Sequence, residues 1–596
     1  MLRNARYSFF FLIVGSVLSP VFLYGQAPTR VSPPLQDAYY AWDAGDYPEA
    51  LRGYLDILRG SQGPAMYREV ALLTGELFQV DELEPDGAGL QMDPGGRYVA
   101  YTVQTAFGTA TRLLDWSQGS EPVLELDGEI SALSSGALVR FEAPDSPELL
   151  QALTEQEEAR LAGDQLAYFS ALAQVRWLTA ASARMYVHAL PEGAPQEIEL
   201  GGVIPGDLTM TPDGGAIYMV GGVADGMGTR LYRMQAPDYA PEAVGSAEGY
   251  FAGPQVTPDQ GFVVLTQVPN NPVPRPPEAE AGPRLDPAVF VVEVATGRDW
   301  AFPGAQAAVS ADGSTVAFLA PLPGGASLRV LRLDAASLDE AAADGAVGEL
   351  IRTAGALANP TLSPDGAWVA YQRMPNLDWE VMAMRTDGSV VHGPLGPTGP
   401  GQGPEAEVNL SREIQHDVFP VFLDDSRVLA VKGEARHRRS YVYDLESLSV
   451  TKVFHNNTIR TIAPEYEWAA TPDGSKLFVV SERDGDTVSP ERGLYMVHLD
   501  REVTLEQVVA RLEENLEAES DLRARGEEIF GPSAGRIRPV TEAVSEARIY
   551  GYAKVLFDFG SKHITHPGNA LAIDYLTETL REWGYEPELQ WFEPQP

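Results

Sequence analysis

The sequence predicts a mainly β fold, a seven- or eight-bladed β-propeller with helices before and after the ring. Three observations predict it. The first is a turn phrase, Ser363-Pro364-Asp365-Gly366, that feeds the apolar strand Trp368 to Tyr371. It returns as Thr211-Pro212-Asp213-Gly214, Thr257-Pro258-Asp259, Ser310-Ala311-Asp312-Gly313 and Thr471-Pro472-Asp473-Gly474. Pro presets one turn dihedral, Asp closes an Asx-turn and Gly accepts positive φ. The second is an apolar phrase in phase with the first. It runs Trp379 to Met384 before Asp387-Gly388, with Leu231 to Met234, Val289 to Val292, Tyr441 to Asp444 and Leu494 to Val497 at the equivalent place, each read as a third strand. The third is spacing. Turn aspartates at 93, 213, 259, 312, 365, 424 and 473 recur every 46 to 59 residues after a first gap of 120, the size of a four-stranded blade. A β-sandwich array would lack such a fixed phrase.

In chain order, residues 1–25 read as an export signal, with Arg3 and Arg6 before the apolar run Phe9 to Leu18. An uncleaved anchor is the rival, because Val21 to Tyr24 lengthens that run. Residues 33–80 read as helical and resemble one tetratricopeptide unit, in which Ala38, Tyr39, Ala41, Trp42, Ala50, Leu51 and Tyr54 interlock. Such a unit cannot bury its own face and is expected to dock on a later part of the chain; peptide binding is the other reading. The propeller spans 84–502. The first gap leaves room for an extra blade, with a helical insertion at about 147–175. Pro269 to Pro287 and Pro394 to Pro404 read as surface loops, since blade sequence resumes after each. Residues 503–540 form a helical linker that starts with a capping box, Thr504 with Gln507. Leu505, Val508, Val509, Leu512 and Leu516 share one face, and Gly531-Pro532-Ser533 breaks the pattern. Within 541–596, helices are expected over 541–557 and 569–583, then a strand from Glu588.

Composition narrows the function. A formal charge of −41 over 596 residues disfavours nucleic acid, which needs clustered Lys and Arg. The absence of Cys excludes disulfides, thiolate catalysis, Cys-ligated zinc and a lipoprotein anchor. After signal cleavage no stretch is long and apolar enough to span a membrane, so the mature chain is expected to be periplasmic or secreted. The sequence contains no His-Glu-x-x-His and no phosphate-binding glycine loop; its Gly531 to Gly535 run has the Gly-x-Ser-x-Gly spacing, but at the break between helical stretches rather than in a strand-to-helix elbow.

Two resemblances add to this. The paired phrases resemble the TolB-type (WD40-like) propeller family over about 420 residues. The tail resembles the opening of the di-zinc aminopeptidase family, through Gly560-Ser561-Lys562-His563, Pro567-Gly568-Asn569 and Gly584-Tyr585, with Lys562 where Arg is usual. That family carries two zinc ions on a doubly wound α/β sheet, where they polarise a carbonyl and activate water. Its ligands are expected beyond Pro596, so the resemblance implies no catalytic residue, no metal ligand and no cofactor in this chain; zinc is expected only in a downstream catalytic domain. His563 and His566 read as turn residues, because Pro567 forbids a regular helix there.

Candidate binding residues lie before two turn phrases, where innermost strands line the central channel. They are Arg412, Glu413, His416 and Asp417 in one stretch, and Arg460, Glu465 and Glu467 in the other. Alternation puts Glu465 and Glu467 on one face, with Tyr466 and Trp468 opposite. Ordinary packing between blades is the competing reading. Asp93, Asp213, Asp259, Asp312, Asp365 and Asp473 are expected to be structural turn residues. The expectation is an exported propeller that screens or positions peptides for a zinc-exopeptidase domain. The runner-up is a non-catalytic scaffold that holds envelope proteins. A third idea, glycan chemistry through channel carboxylates, rests on Glu465 and Glu467 alone.

Overall fold

The computed structural model describes residues 31–590 except 107, 120, 192, 224–227, 278, 280–281, 345–347, 376–377, 390–406, 411–415, 434–438, 448, 454–464, 483–491 and 561–565. The chain divides into two units, Met1–Leu516 and Glu517–Pro596.

The first unit opens with α1 (Gln36–Asp43), α2 (Tyr47–Arg59) and α3 (Gly63–Thr74). Gly53 lets α1 and α2 approach closely, since a Cβ there would meet the Ala38 Cβ at 2.9 Å. Beyond α3 come eight four-stranded antiparallel sheets. In order they are blade 1 (88–127), blade 2 (132–198), blade 3 (203–243), blade 4 (251–303), blade 5 (305–353), blade 6 (357–409), blade 7 (417–452) and blade 8 (465–502). The fourth strand of blade 8 is Phe78–Glu84, paired with Gly493–Glu502, so both ends of the propeller sequence share one sheet. Eight apolar clusters each join two neighbouring blades. Val99, Tyr101 and Leu114 of blade 1 meet Phe478, Val480 and Leu494 of blade 8, which closes the ring. The count is therefore eight.

The turn phrase works as its chemistry dictates. In blade 3 the Asp213 Oδ1 accepts from the Thr211 hydroxyl at 2.6 Å and the Gly215 N–H at 2.9 Å, while the Thr211 hydroxyl oxygen accepts from the Ala216 N–H at 3.0 Å. Gly214 has φ 73°. The same set recurs around Asp259, Asp312, Asp365 and Asp473. Asp93 differs. It occupies the Thr/Ser position of the phrase, with its N–H donating to the Tyr98 carbonyl at 3.0 Å, and its carboxylate accepts from the Gly95, Arg97 and Tyr98 N–H groups. Blade 2 has no aspartate here. Ser134 and Ala137 make a shorter turn, which is why that blade left no phrase.

Blade 2 carries α4 (Pro147–Ala162) and α5 (Gln165–Ala181) between its second and third strands. Blade 5 carries α6 (Ala335–Asp344) before its fourth strand. The first part of α7 (Leu505–Phe530) packs on α1–α3. Val508 and Leu512 are fully buried among Leu51, Tyr54, Leu58 and Val70, and each such side chain contributes about 1.5–3 kcal/mol. Thr504 and Gln507 exchange the expected capping-box bonds at 2.8 and 3.3 Å.

The second unit holds the rest of α7, then α8 (Ala534–Glu542), α9 (Glu546–Asp558) and α10 (Pro567–Glu582). Two expectations change here. The helix read over 541–557 starts at Glu546, because Ser545 accepts from the Arg548 N–H and caps it. Thr541 belongs to the separate α8. Residues 588–590 join no strand.

Candidate functional site

Each blade has two ends. The aspartate turns occupy one. The other gathers the connections from second to third strands and those from one blade to the next. On this second face lie the α4–α5 hairpin, the Pro-rich loop after Phe262–Gln267, and the starts of all inner strands.

The inner strands share a device that alternation does not reveal. A register shift interrupts the pairing in seven of them, at the same place. Gly89, Gly253, Gln306, Asn359 and Phe419 stand there with φ between 48° and 62°. An inserted bulge residue re-aims its neighbours and leaves backbone N–H groups unpaired within the sheet. Side chains of the preceding blade take them up. Asp207 Oδ2 accepts from Gly253 at 2.9 Å, Gln306 Oε1 from Asn359 at 2.7 Å and Gln372 Oε1 from Phe419 at 3.0 Å. Glu467 does the same between blades 8 and 1, accepting from Gly89 at 3.1 Å and Leu90 at 2.6 Å.

Four of the sequence-chosen binding residues, His416, Asp417, Glu465 and Glu467, fall among the described residues. Arg412, Glu413 and Arg460 lie outside the described residues, as do His563 and the loop 394–404. Glu467 is the clasp between blades 8 and 1. Glu465 is fully buried; its carboxylate accepts from the Ser440 N–H at 3.1 Å and the Trp468 indole at 2.8 Å. Burial pushes that carboxyl above its usual range, against the pull of Ser440, Trp468 and the Arg439 guanidinium. The shared face expected for Glu465 and Glu467 is corrected. The bulge between them breaks the period, so Glu465 meets Trp468 and Glu467 turns to blade 1. His416 Nδ1 lies 2.8 Å from Asp378, whose carboxyl is raised by burial despite the imidazole. Asp417 is buried and accepts from the Tyr443 hydroxyl at 3.1 Å. Among the described residues no three His, Asp or Glu side chains converge as a metal site.

What the sequence did not single out is an open cleft on the same face. Helix α5 forms one wall through Val175, Arg176, Thr179 and Ala180. The floor is the bulge segments Pro205 to Leu208 of blade 3 and Gly253-Pro254 of blade 4, and Pro274 of the Pro-rich loop closes the far side. The cleft measures about 690 Å³. Arg176 and Pro274 also line a second, adjoining cavity of about 500 Å³, together with Phe169, Leu172, Asn271 and Arg275. The first cleft, mostly apolar with a few polar groups, is of the size small ligands occupy. The signal available in the sequence was that the helical insertion and the Pro-rich loop both come directly after a second strand and so share one face.

No protein-family model matches the sequence, and no curated protein matches it. Solved structures similar to the chain include TolB from Acinetobacter baumannii (14% identity, 74% of this chain and 92% of that one, TM-score 0.28). The β-propeller domain of the Trilobed protease from Pyrococcus furiosus is similar at 9% identity over 70% of this chain and 98% of that one (TM-score 0.35). The tricorn protease is similar at 9% identity over 68% of this chain and 39% of that one (TM-score 0.35). The fold assignment rests on the eight sheets, not on these likenesses. No helix among the described residues is long and apolar enough to cross a membrane.

Proposed function

We propose that this chain is an exported peptide- or protein-binding propeller whose working face carries the α4–α5 hairpin, and that it positions peptides for a zinc-exopeptidase-type domain opened by α9 and α10. The observation that carries the binding role is the cleft itself. Two segments foreign to the blade pattern, the hairpin and the Pro-rich loop, build its walls over the inner bulges of blades 3 and 4. Insertions on the loops of a rigid scaffold are where binding residues concentrate.

The exopeptidase link is supported by the second unit. Tyr550, Phe557, Trp583 and Tyr585 are each more than half exposed. Helices with so much open apolar surface lack the core that a self-sufficient domain needs. Within the described part of this unit no set of ligands converges, so no zinc step is assigned to this chain.

The binding role is tested by removing the hairpin. Glu142 and Arg184 are register partners, so a short Gly-Ser turn can replace 143–183 without disturbing the sheet. Peptides captured by the full chain are expected to be lost from this variant while its β spectrum stays unchanged. Equal capture by both proteins refutes the assignment of the face. For the exopeptidase link, the codons after Pro596 decide: a frame running on into His-x-Asp and Glu-Glu motifs is expected, and an immediate stop leaves a non-catalytic interaction scaffold.

A further inference from the structure

We infer that this face binds a peptide by its free C-terminal carboxylate, held by Arg176 and Arg275, with the last side chain in the adjoining apolar cleft. This rests on the reading of that face as the binding face. The two guanidiniums come from unrelated segments, α5 and the Pro-rich loop, yet line one 500 Å³ cavity. The chain has 84 acidic residues against 43 basic ones. Even so, neither guanidinium has a carboxylate partner among the described residues, as is also true of Arg284 and Arg385, but Arg176 and Arg275 line the same cavity. Two arginines lining one cavity without a carboxylate partner suit an anion, and the planar fork matches a carboxylate bidentately.

The lining of the adjoining cleft sets the anion's orientation. Arg176 and Pro274 border both cavities, so the two adjoin. The adjoining open cleft is walled by Phe141, Val175, Leu208 and Pro254, which suits an apolar side chain. Asp207 also lines it, and its Oδ2 already accepts from Gly253. That carboxylate repels a second anion, so the negative end stays beside the arginines, while a ligand N–H can donate inward. Phosphate offers nothing to the apolar cleft. A peptide ending in an apolar residue satisfies both parts.

The test uses the full chain and fluorescent peptides of one random sequence that differ in the last residue, each as free acid and as C-terminal amide, read by anisotropy. The free acid with an apolar last residue is expected to bind at least about tenfold tighter than its amide, the loss of one charged hydrogen-bonding partner. Arg176→Ala and Arg275→Ala are expected to remove that preference, Arg176→Lys to restore part of it, and added salt to shrink it. Thr179→Trp, on an exposed helix position, is expected to block both forms. Equal binding of acid and amide, an unchanged preference in the arginine variants, or displacement by inorganic phosphate as effective as by the free acid overturns the inference. If acid and amide bind equally but Thr179→Trp abolishes both, the carboxylate assignment fails and the binding face stands. If Thr179→Trp and hairpin removal leave binding untouched, both fail.

Discussion

Glu467→Ala is expected to destabilise the propeller without touching any strand pairing. The carboxylate accepts from Gly89 at 3.1 Å and from Leu90 at 2.6 Å, one bond per oxygen, across the junction of the last and first blades. A hydrogen bond to a charged group contributes about 1.5–3 kcal/mol when its partner is left without water. Leu90 is half-buried and loses most of that, whereas Gly89 is exposed and recovers hydration. The sum is about 2–3 kcal/mol, and Glu467→Gln, which keeps a single acceptor oxygen, should lose about half. Urea unfolding followed by tryptophan fluorescence reads this as a lower midpoint at unchanged slope. Asp207→Asn, which serves one backbone N–H in blade 4, is the internal comparison and should cost less. If Glu467→Ala moves the midpoint by under about 0.5 kcal/mol while weakening peptide capture, the carboxylate belongs to a ligand and the clasp reasoning is wrong.

The geometry supports three other outcomes. The carboxyls of Asp213, Asp259 and Asp473 are held below their usual range, chiefly by the adjoining Thr hydroxyl and then by a backbone N–H. The unfolded chain therefore binds more protons in acid, so their contribution is complete above the ordinary Asp value of about 3.9 and fades as pH falls through the depressed native values. The urea midpoint should hold from pH 7 to 5 and drop below 4, with a shallower acid drop in the triple Asp→Asn variant; an identical slope refutes it. Leu512→Ala should cost about 2–5 kcal/mol and speed tryptic cleavage at Arg59 and Arg68, because the side chain is fully buried against α1–α3. Thr504→Ala, which removes one half of a capping box, should cost about 1 kcal/mol in the thermal unfolding of the first unit.

The ring was legible because its signals are local. A Thr-Pro-Asp-Gly turn with four apolar residues after it states a strand boundary and a buried face within ten residues. Where chemistry took another form, the reading lost precision. Asp93 fills the roles of both Thr211 and Asp213, so it stood two places out of phase. Ser134 to Ala137 needs no aspartate at all, and the blade count stayed open. Glu465 and Glu467 were assigned one face because strict alternation was assumed; a single inserted residue reversed that. The cleft was least legible. Arg176 and Arg275 are 99 positions apart and meet only because two insertions leave neighbouring parts of one face. The capping box at Thr504 was readable outright, since it depends on four consecutive residues.

The pairing of Phe78–Glu84 with Gly493–Glu502 has a consequence for how the protein is made. A ribosome delivers the N-terminal strand of the final blade more than 400 residues before its partners, so this strand must wait, its edge unpaired, through the synthesis of seven blades. Helices α1–α3 wait beside it, their apolar face uncovered until α7 emerges. These segments, made before the blades, are thus among the last to find their place, and it is there that a chaperone would have a long opportunity to act.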